Sequence, residues 1–338
     1  MTYKVTIQPS GHEFNAAAGE TLLTAALNAG FALPYGCRNG ACGACKGKVL
    51  SGQVDYGAHQ ESALSEEDKR KGLALFCCAT ALSDLGIESK EVGAIKDIPI
   101  RTLPCRIETM ERLAHDVMLL RLKLPSNERL QFLPGQYIDF LLKDGQRRSF
   151  SLANTPEDDA LLELHIRHVP GGHFTDHVFG SMKLKDIMRI SGPYGSFFLR
   201  ESDKPAIFVA GGTGFAPIKS VLSHAFHHGL DRQFVLYWGA KRLADLYQPE
   251  APGEWQSQQP NFTFIPVLSE AADDDRWRGR TGLVHQAVLA DFEDLSGHEV
   301  YACGAPPMID AARRDFTARG LPVDAFFSDA FSFQSAPT

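Results

Sequence analysis

A chain of 338 residues, 44% hydrophobic and 22% charged, has room for two or three domains, each with its own core, and the composition of an ordinary globular protein. A formal charge of −7 offers no basic face to a nucleic acid, and no apolar run approaches the roughly 18 residues of a membrane span. Seven cysteines without a secretion signal ahead of them point to reduced thiols in a cytoplasm rather than to disulfides.

The chain begins with alternation: Tyr3, Val5 and Ile7 against Lys4, Thr6 and Gln8 predict a half-buried strand, followed by a Pro9-Ser10-Gly11 turn. Thr21 is the expected N-cap of a helix over Leu22–Ala29 that Gly30 ends in the left-handed region. The next stretch organises the rest. Cys37, Cys42 and Cys45 lie at C-x4-C-x2-C spacing in a loop of small residues, and Cys77-Cys78 follows downstream. That is the plant-type spacing of a cluster of two irons and two sulfides. Gly36, Gly40, Ala41, Gly43 and Ala44 let the main chain come close enough to aim N–H groups at sulfur. A structural zinc site, the competing reading, usually takes two tight cysteine pairs. Beyond the loop, Lys46–Leu50 reads as a strand, and Ser65 with Asp68 as the capping box of a short helix. Residues 1–92 thus form a first unit, and 93–100 a linker.

From 101 to 200 short alternating strands, among them Leu119–Leu124, Gln136–Leu142 and the run around Leu162, Leu164 and Ile166, are separated by turn residues, which predicts an antiparallel barrel. From 201 to 338 apolar strands alternate with helices. Ala206–Ala210, Phe234–Trp238, Phe262–Val267 and Val300–Cys303 predict a parallel, doubly wound sheet. The whole is expected to be a multi-domain protein of α+β and α/β class. Gly211-Gly212-Thr213-Gly214 sits between a strand and a helix, where glycines admit a pyrophosphate to the helix N-terminus; a tight structural turn is the bland alternative.

The first unit resembles the plant-type 2Fe–2S ferredoxins, with their β-grasp-like fold. In that family the last ligand follows a leucine by two residues and precedes an Asp-containing turn. Leu75-Phe76-Cys77 with Ser83-Asp84 matches, so the resemblance selects Cys77 as fourth ligand beside Cys37, Cys42 and Cys45, and leaves Cys78 a buried neighbour. Arg148-Ser149-Phe150-Ser151, Gly171-Gly172-His173-Phe174-Thr175, the glycine loop and Tyr301-Ala302-Cys303-Gly304-Ala305-Pro306, taken in that order, resemble the ferredoxin–NADP reductase superfamily. With the cluster unit first, the order of modules is similar to the electron-transfer reductases of aromatic-ring oxygenases and to CDP-6-deoxy-glucoseen reductase proteins.

The resemblance implies FAD and NADH as cofactors beside the cluster. It places Arg148 on the flavin pyrophosphate, Phe150 on the flavin ring where tyrosine is usual, Ser151 near its N5, and Gly172 and Thr175 at a second phosphate position. Gly212, Thr213 and Gly214 hold the pyridine nucleotide, Cys303 and Gly304 line its nicotinamide end, and Phe331 is the C-terminal aromatic that covers the flavin, with Phe326, Phe327 and Phe333 as rivals. Ser151, Cys303 and Phe331 are thereby the candidates closest to the hydride transfer. In the stretch Gly239–Asp245, Lys241 and Arg242 permit NADPH, while Asp245 and the resembling reductases favour NADH.

The expected activity is that of a cytoplasmic reductase carrying electrons from NADH through FAD and the cluster to an oxygenase, ferredoxin or deoxysugar dehydratase, with no nucleic acid or membrane involved. A redox-sensing subunit without turnover and a zinc-stabilised binding module are the alternatives. Arg38 and Asn39, between the first two cysteines, are candidates to touch the acceptor. Cys105 reads as a small buried hydrophobe, Asp273-Asp274-Asp275 as a solvated loop, and His224 and His228, one helical turn apart, as helix-end polar residues rather than a metal site.

Overall fold

The computed structural model describes residues 1–89 and 98–331. By its contacts the chain divides into two compact units, Met1–Pro99 with Ser328–Ser332, and Ile100–Phe327. The boundary proposed at 200/201 separates two sheets inside the second unit, and most of the proposed linker lies outside the described residues.

The first unit contains β1 (Thr2–Gln8), β2 (Glu13–Ala17), α1 (Leu22–Asn28), β3 (Lys46–Ser51), β4 (Val54–Asp55), α2 (Glu66–Arg70), β5 (Leu73–Leu75), β6 (Thr80–Ala81) and β7 (Leu85–Glu88). Its main sheet runs β2-β1-β7-β3-β5, with β1 parallel to β7 and the other pairs antiparallel. That mixed order matches the β-grasp expectation. Val5, Ile7 and Ile87 are fully buried on the core side of the central pair. Helix α1 starts as its sequence requires, with the Thr21 hydroxyl accepting from the Thr24 N–H at 3.3 Å. Ser65 and Asp68 form the reciprocal capping box that opens α2.

In the second unit come β8 (Arg101–Ala114), β9 (Val117–Lys123), β10 (Tyr137–Leu141), β11 (Arg147–Ser151), β12 (Leu162–Arg167), α3 (His173–Gly180) and β13 (Ile187–Tyr194). Their sheet is antiparallel in the order β11-β10-β13-β8-β9-β12. A bridge from Leu152 to Leu164 brings the two edges together and closes the barrel. Its interior is an apolar cluster that includes Ile107, Leu120, Ile138, Phe140, Leu164 and Phe174.

Beyond the barrel lie β14 (Ala206–Gly211), α4 (Phe215–His227), β15 (Phe234–Ala240), α5 (Glu250–Gln258), β16 (Phe262–Leu268), β17 (Arg280–Thr281), α6 (Val284–Asp291), β18 (Glu299–Gly304), α7 (Pro306–Ala318) and β19 (Phe326–Ala330). The sheet order is β17-β16-β15-β14-β18-β19, and β14 is parallel to both β15 and β18. Such strands are buried on both faces, which explains why β14 reads as a continuous apolar run. The chain leaves β14 toward β15 and β16, then returns on the other side as β18. The order reverses between β14 and β18, and ligands of open α/β sheets bind beyond the carboxyl ends of the strands at such a point.

Candidate cofactor sites

The cysteine loop wraps its first two thiols in backbone. The N–H groups of Ala41 and Cys42 point at Cys37 Sγ, at 3.4 and 3.3 Å, and those of Cys37 and Ala44 at Cys42 Sγ, at 3.4 and 3.5 Å. Arg38 (φ 60°), Gly40 (φ 77°) and Gly43 (φ 73°) take left-handed conformations to make this turn. A hydrogen bond from Cys42, aided by the backbone donors and opposed by burial, lowers the Cys37 thiol to about 6. The thiol of Cys42 is pushed up by its contact with Cys37 and by burial, and that of Cys77 by its neighbour Cys45. Several thiols crowded together resist ionising one by one, and a bound cation reverses that penalty. The donors and the spacing fit an iron–sulfur group. Cys77 is buried and interacts with Cys45, whereas Cys78 Sγ faces Gly40, where an added Cβ would lie 2.8 Å from it. Asp329, grouped with this unit, was not foreseen: burial first, and the charge of Cys37 second, push its carboxyl up to about 7.

On the barrel, Arg148 and Phe150 alternate with Ser149 and Ser151 along β11, so two of the three expected flavin contacts share one face of the strand and Ser151 lies on the other. Phe150 is half-buried against Phe140 and Phe174, with ring centroids 6.0 and 5.4 Å away. Ser151 is buried opposite Tyr137. Gly172 precedes α3, whose N-terminus no side chain caps. The hydroxyl of Thr175 accepts from the Val169 N–H at 3.1 Å and also lies 3.0 Å from the Val169 carbonyl. It shapes this turn, so a phosphate here would meet backbone N–H groups more directly than the threonine side chain.

The glycine loop meets β18 at the switch point. A Cβ on Gly214 would lie 2.0 Å from the Cys303 carbonyl oxygen, and one on Gly211 would lie 2.7 Å from Met308 Sδ. Glycine is therefore required here by protein packing as well as by any nucleotide. Gly212 (φ 53°) has its carbonyl fixed by Trp238 Nε1 at 2.9 Å, and Trp238 stacks on Phe215 at 4.0 Å. Thr213 is buried. Cys303 is fully buried at the end of β18, next to Gly304.

Arg167, at the end of β12, was missed by sequence reasoning. Its guanidinium lies 2.8 Å from where a Gly212 Cβ would be, and its Nε pairs with Asp116 at 3.3 Å. Buried Nη2 has no hydrogen-bond partner among the described residues, as a donor awaiting an anion would. Near it, His165 links Tyr247 (2.9 Å) to Glu163 (3.1 Å), and Glu163 also takes Lys219 of α4 at 2.6 Å.

The loop after β15 corrects one expectation. Asp273–Asp275 is not simply solvated: Asp275 accepts from Arg242 Nε at 2.7 Å and Asp274 from its Nη2, while Lys241 pairs with Glu270 at 3.1 Å. Among the C-terminal aromatics, Phe326 packs near Phe316 and Phe327 stacks on Tyr301 at 4.8 Å. Phe331 is half-buried in the segment grouped with the first unit, and Phe333 lies outside the described residues. Cys105 is buried, as expected, and burial pushes its thiol up to about 12.

Three family models match in succession: a 2Fe-2S iron-sulfur cluster binding domain over residues 5–82, an oxidoreductase FAD-binding domain over 104–199, and an oxidoreductase NAD-binding domain over 208–314. The CDP-6-deoxy-L-threo-D-glycero-4-hexulose-3-dehydrase reductase of Yersinia pestis is 43% identical, covering 98% of this chain and 99% of that protein. The reductase component of phenol 2-monooxygenase from Pseudomonas sp. strain CF600 is 40% identical, covering 92% and 89%. Among solved structures, an Amycolatopsis cytochrome P450 reductase superposes with a TM-score of 0.79 at 34% identity, over 97% of this chain and 98% of that one.

Proposed function

The chain belongs to the iron–sulfur flavoprotein reductases that carry a 2Fe-2S domain, an FAD-binding domain and an NAD-binding domain in one polypeptide, and on that premise we propose which residues hold the cofactors and what takes the electrons. It is an NAD(P)H-dependent enzyme, passing electrons from NADH through FAD and the 2Fe-2S cluster to a separate acceptor protein. FAD held there would supply the link between a two-electron hydride donor and a one-electron cluster. Hydride transfer depends on stacking and alignment more than on acid–base chemistry, so the protein's task is to position. The redox-sensing and zinc-module readings are not favoured by these matches.

Cys37, Cys42, Cys45 and Cys77 hold the cluster. The observation that carries this assignment is the set of four N–H groups directed at Cys37 and Cys42 Sγ. Arg148 and the N-terminus of α3 take the flavin phosphates, Phe150 flanks the ring and Ser151 lies near its reacting edge. Gly212, Thr213 and Gly214 receive the nucleotide's pyrophosphate, with Arg167 beside them, and Cys303 with Gly304 backs the nicotinamide. NADH is preferred to NADPH, because Lys241 and Arg242 already have acidic partners.

The acceptor is an oxygenase, a ferredoxin or a deoxysugar dehydratase, and the setting a reducing cytoplasm; among the described residues no helix is long and apolar enough to cross a membrane. The full-length match to a hexulose-dehydrase reductase supports the dehydratase first. The deciding experiment supplies the purified, NADH-reduced protein with a dehydratase, an aromatic-ring oxygenase and a ferredoxin in turn. Turnover with one and not the others names the acceptor. NADH oxidation with no loss of flavin or cluster colour would overturn the proposed path.

A further inference from the structure

Helix α4 and its C-cap present Ser220, His224 and His228 four residues apart on one side. All three meet the turn between β11 and β12. The Ser220 hydroxyl donates to the Asn154 carbonyl at 2.6 Å, while Glu157 Oε1 lies 2.9 Å from His224 Nδ1 and 3.0 Å from His228 Nε2. The turn is braced from within. Asn154 Nδ2 donates to the Thr155 and Asp158 carbonyls at 3.2 and 2.8 Å, and its Oδ1 accepts from the Glu163 N–H at 2.9 Å. The His228 N–H still bonds the His224 carbonyl at 3.1 Å, so the two rings keep helical spacing at the end of α4.

We propose that Glu157, His224 and His228 form a binding site for a divalent transition ion of the zinc class, which ties the β11–β12 turn to α4. One ligand atom from each residue lies within 4.8 Å of the other two. Two ligands bound at about 2.0–2.1 Å to one ion stand roughly 2.9–3.4 Å apart, so the carboxylate and imidazole atoms need little movement to share it. Two imidazoles and a carboxylate suit zinc, cobalt or nickel, whereas magnesium and calcium take oxygen ligands. Glu157 and His228 are exposed and His224 half-exposed, which lets an ion enter and keep water in its remaining positions.

A second group, His115 with Asp116 and Asp245, is less suited. Its histidine stands 4.0 and 3.9 Å from the two carboxylates, Asp116 faces Arg167, and Asp245 accepts from the Arg242 N–H.

The test titrates Zn2+ into the intact holoprotein by calorimetry, with Mg2+ as control and cluster absorption monitored to show that the iron site is undisturbed. The expected result is one zinc per chain and a zinc-dependent rise in Tm. His224→Asn with His228→Asn weakens binding at least about tenfold and abolishes the rise, while flavin and iron contents stay as in the wild type. Glu157→Gln gives an intermediate loss. Zinc bound equally by the double variant would place the ion elsewhere and overturn the proposal. Absence of zinc binding to the wild type would also overturn it, leaving three hydrogen-bonded side chains only.

Discussion

Arg242 lies in the stretch where a 2′-phosphate of NADPH is expected to be read, yet its guanidinium is already engaged by Asp274 and Asp275. A phosphate entering there must displace those carboxylates or bind beside them, against like charge. Replacing both aspartates with alanine frees the arginine. The pairs are exposed and screened, so they hold the guanidinium only weakly, and kcat/KM with NADPH is expected to rise roughly twofold to fivefold while that with NADH changes little. Steady-state kinetics with both nucleotides decides it, and an unchanged NADPH:NADH ratio would show that Arg242 is not the reader. This arrangement was only half legible in the sequence. Lys241, Arg242 and Asp245 are neighbours and visible as a group, but Asp275 is remote from Arg242 in the chain and meets it only through folding. The same holds for Trp238 beneath Gly212, for Arg167 above it, and for Glu157 against His224.

Elements were legible where their signals are local: the Thr21 and Ser65 caps, the alternation of β1 and the apolar run of β14 all settle within a few residues. Helix α5 was not foreseen; its Pro252 falls in the first turn, where its missing N–H is of no consequence. Two glycines in helix-related positions therefore predict opposite outcomes. An added methyl at Gly253 meets nothing within 4 Å, so Gly253→Ala is expected to stabilise by about 0.5–1 kcal/mol and raise Tm. Gly214→Ala drives a Cβ into the Cys303 carbonyl. It is expected to lower Tm and weaken nucleotide binding together, by thermal melting and NAD+ titration; a variant that loses binding at unchanged Tm would confine the glycine's role to the nucleotide. Between elements, β12 and α4 are joined through Glu163, His165 and Lys219. Burial first lowers the His165 pKa, outweighing Glu163, so the folded protein keeps it neutral while the unfolded chain takes up a proton below about 6.5. Its contribution to stability is therefore complete at neutral pH and declines as pH falls through that value. His285 and His298 are lowered in the same sense, also chiefly by burial. His165→Gln is expected to flatten the histidine-driven fall in Tm between pH 7 and 5, which Asp329 opposes because its raised carboxyl takes up a proton in the folded state over that window; an unchanged profile in the variant would show that His165 contributes nothing to it.

At the scale of the molecule, the order of modules was readable because each carries its own short-range signature, and three consecutive family matches agree with it. What no local pattern carries is the client protein, since a docking surface is assembled from residues scattered along the chain. The internal order of transfer is still open to a direct test through Cys42. Its sulfur receives N–H groups from Cys37 and Ala44, so a serine there, with a shorter bond to a harder atom, loses both the ligand and its backbone cradle. If the cluster is the exit, Cys42→Ser removes the one-electron route and cytochrome c reduction falls about tenfold or more. Ferricyanide, small enough to be served at the flavin, continues to be reduced by NADH at near the wild-type rate. Parallel assays on one preparation, with flavin content measured, separate the cases. Equal loss of both activities with flavin still bound would mean that the cluster does not stand between the flavin and the outside.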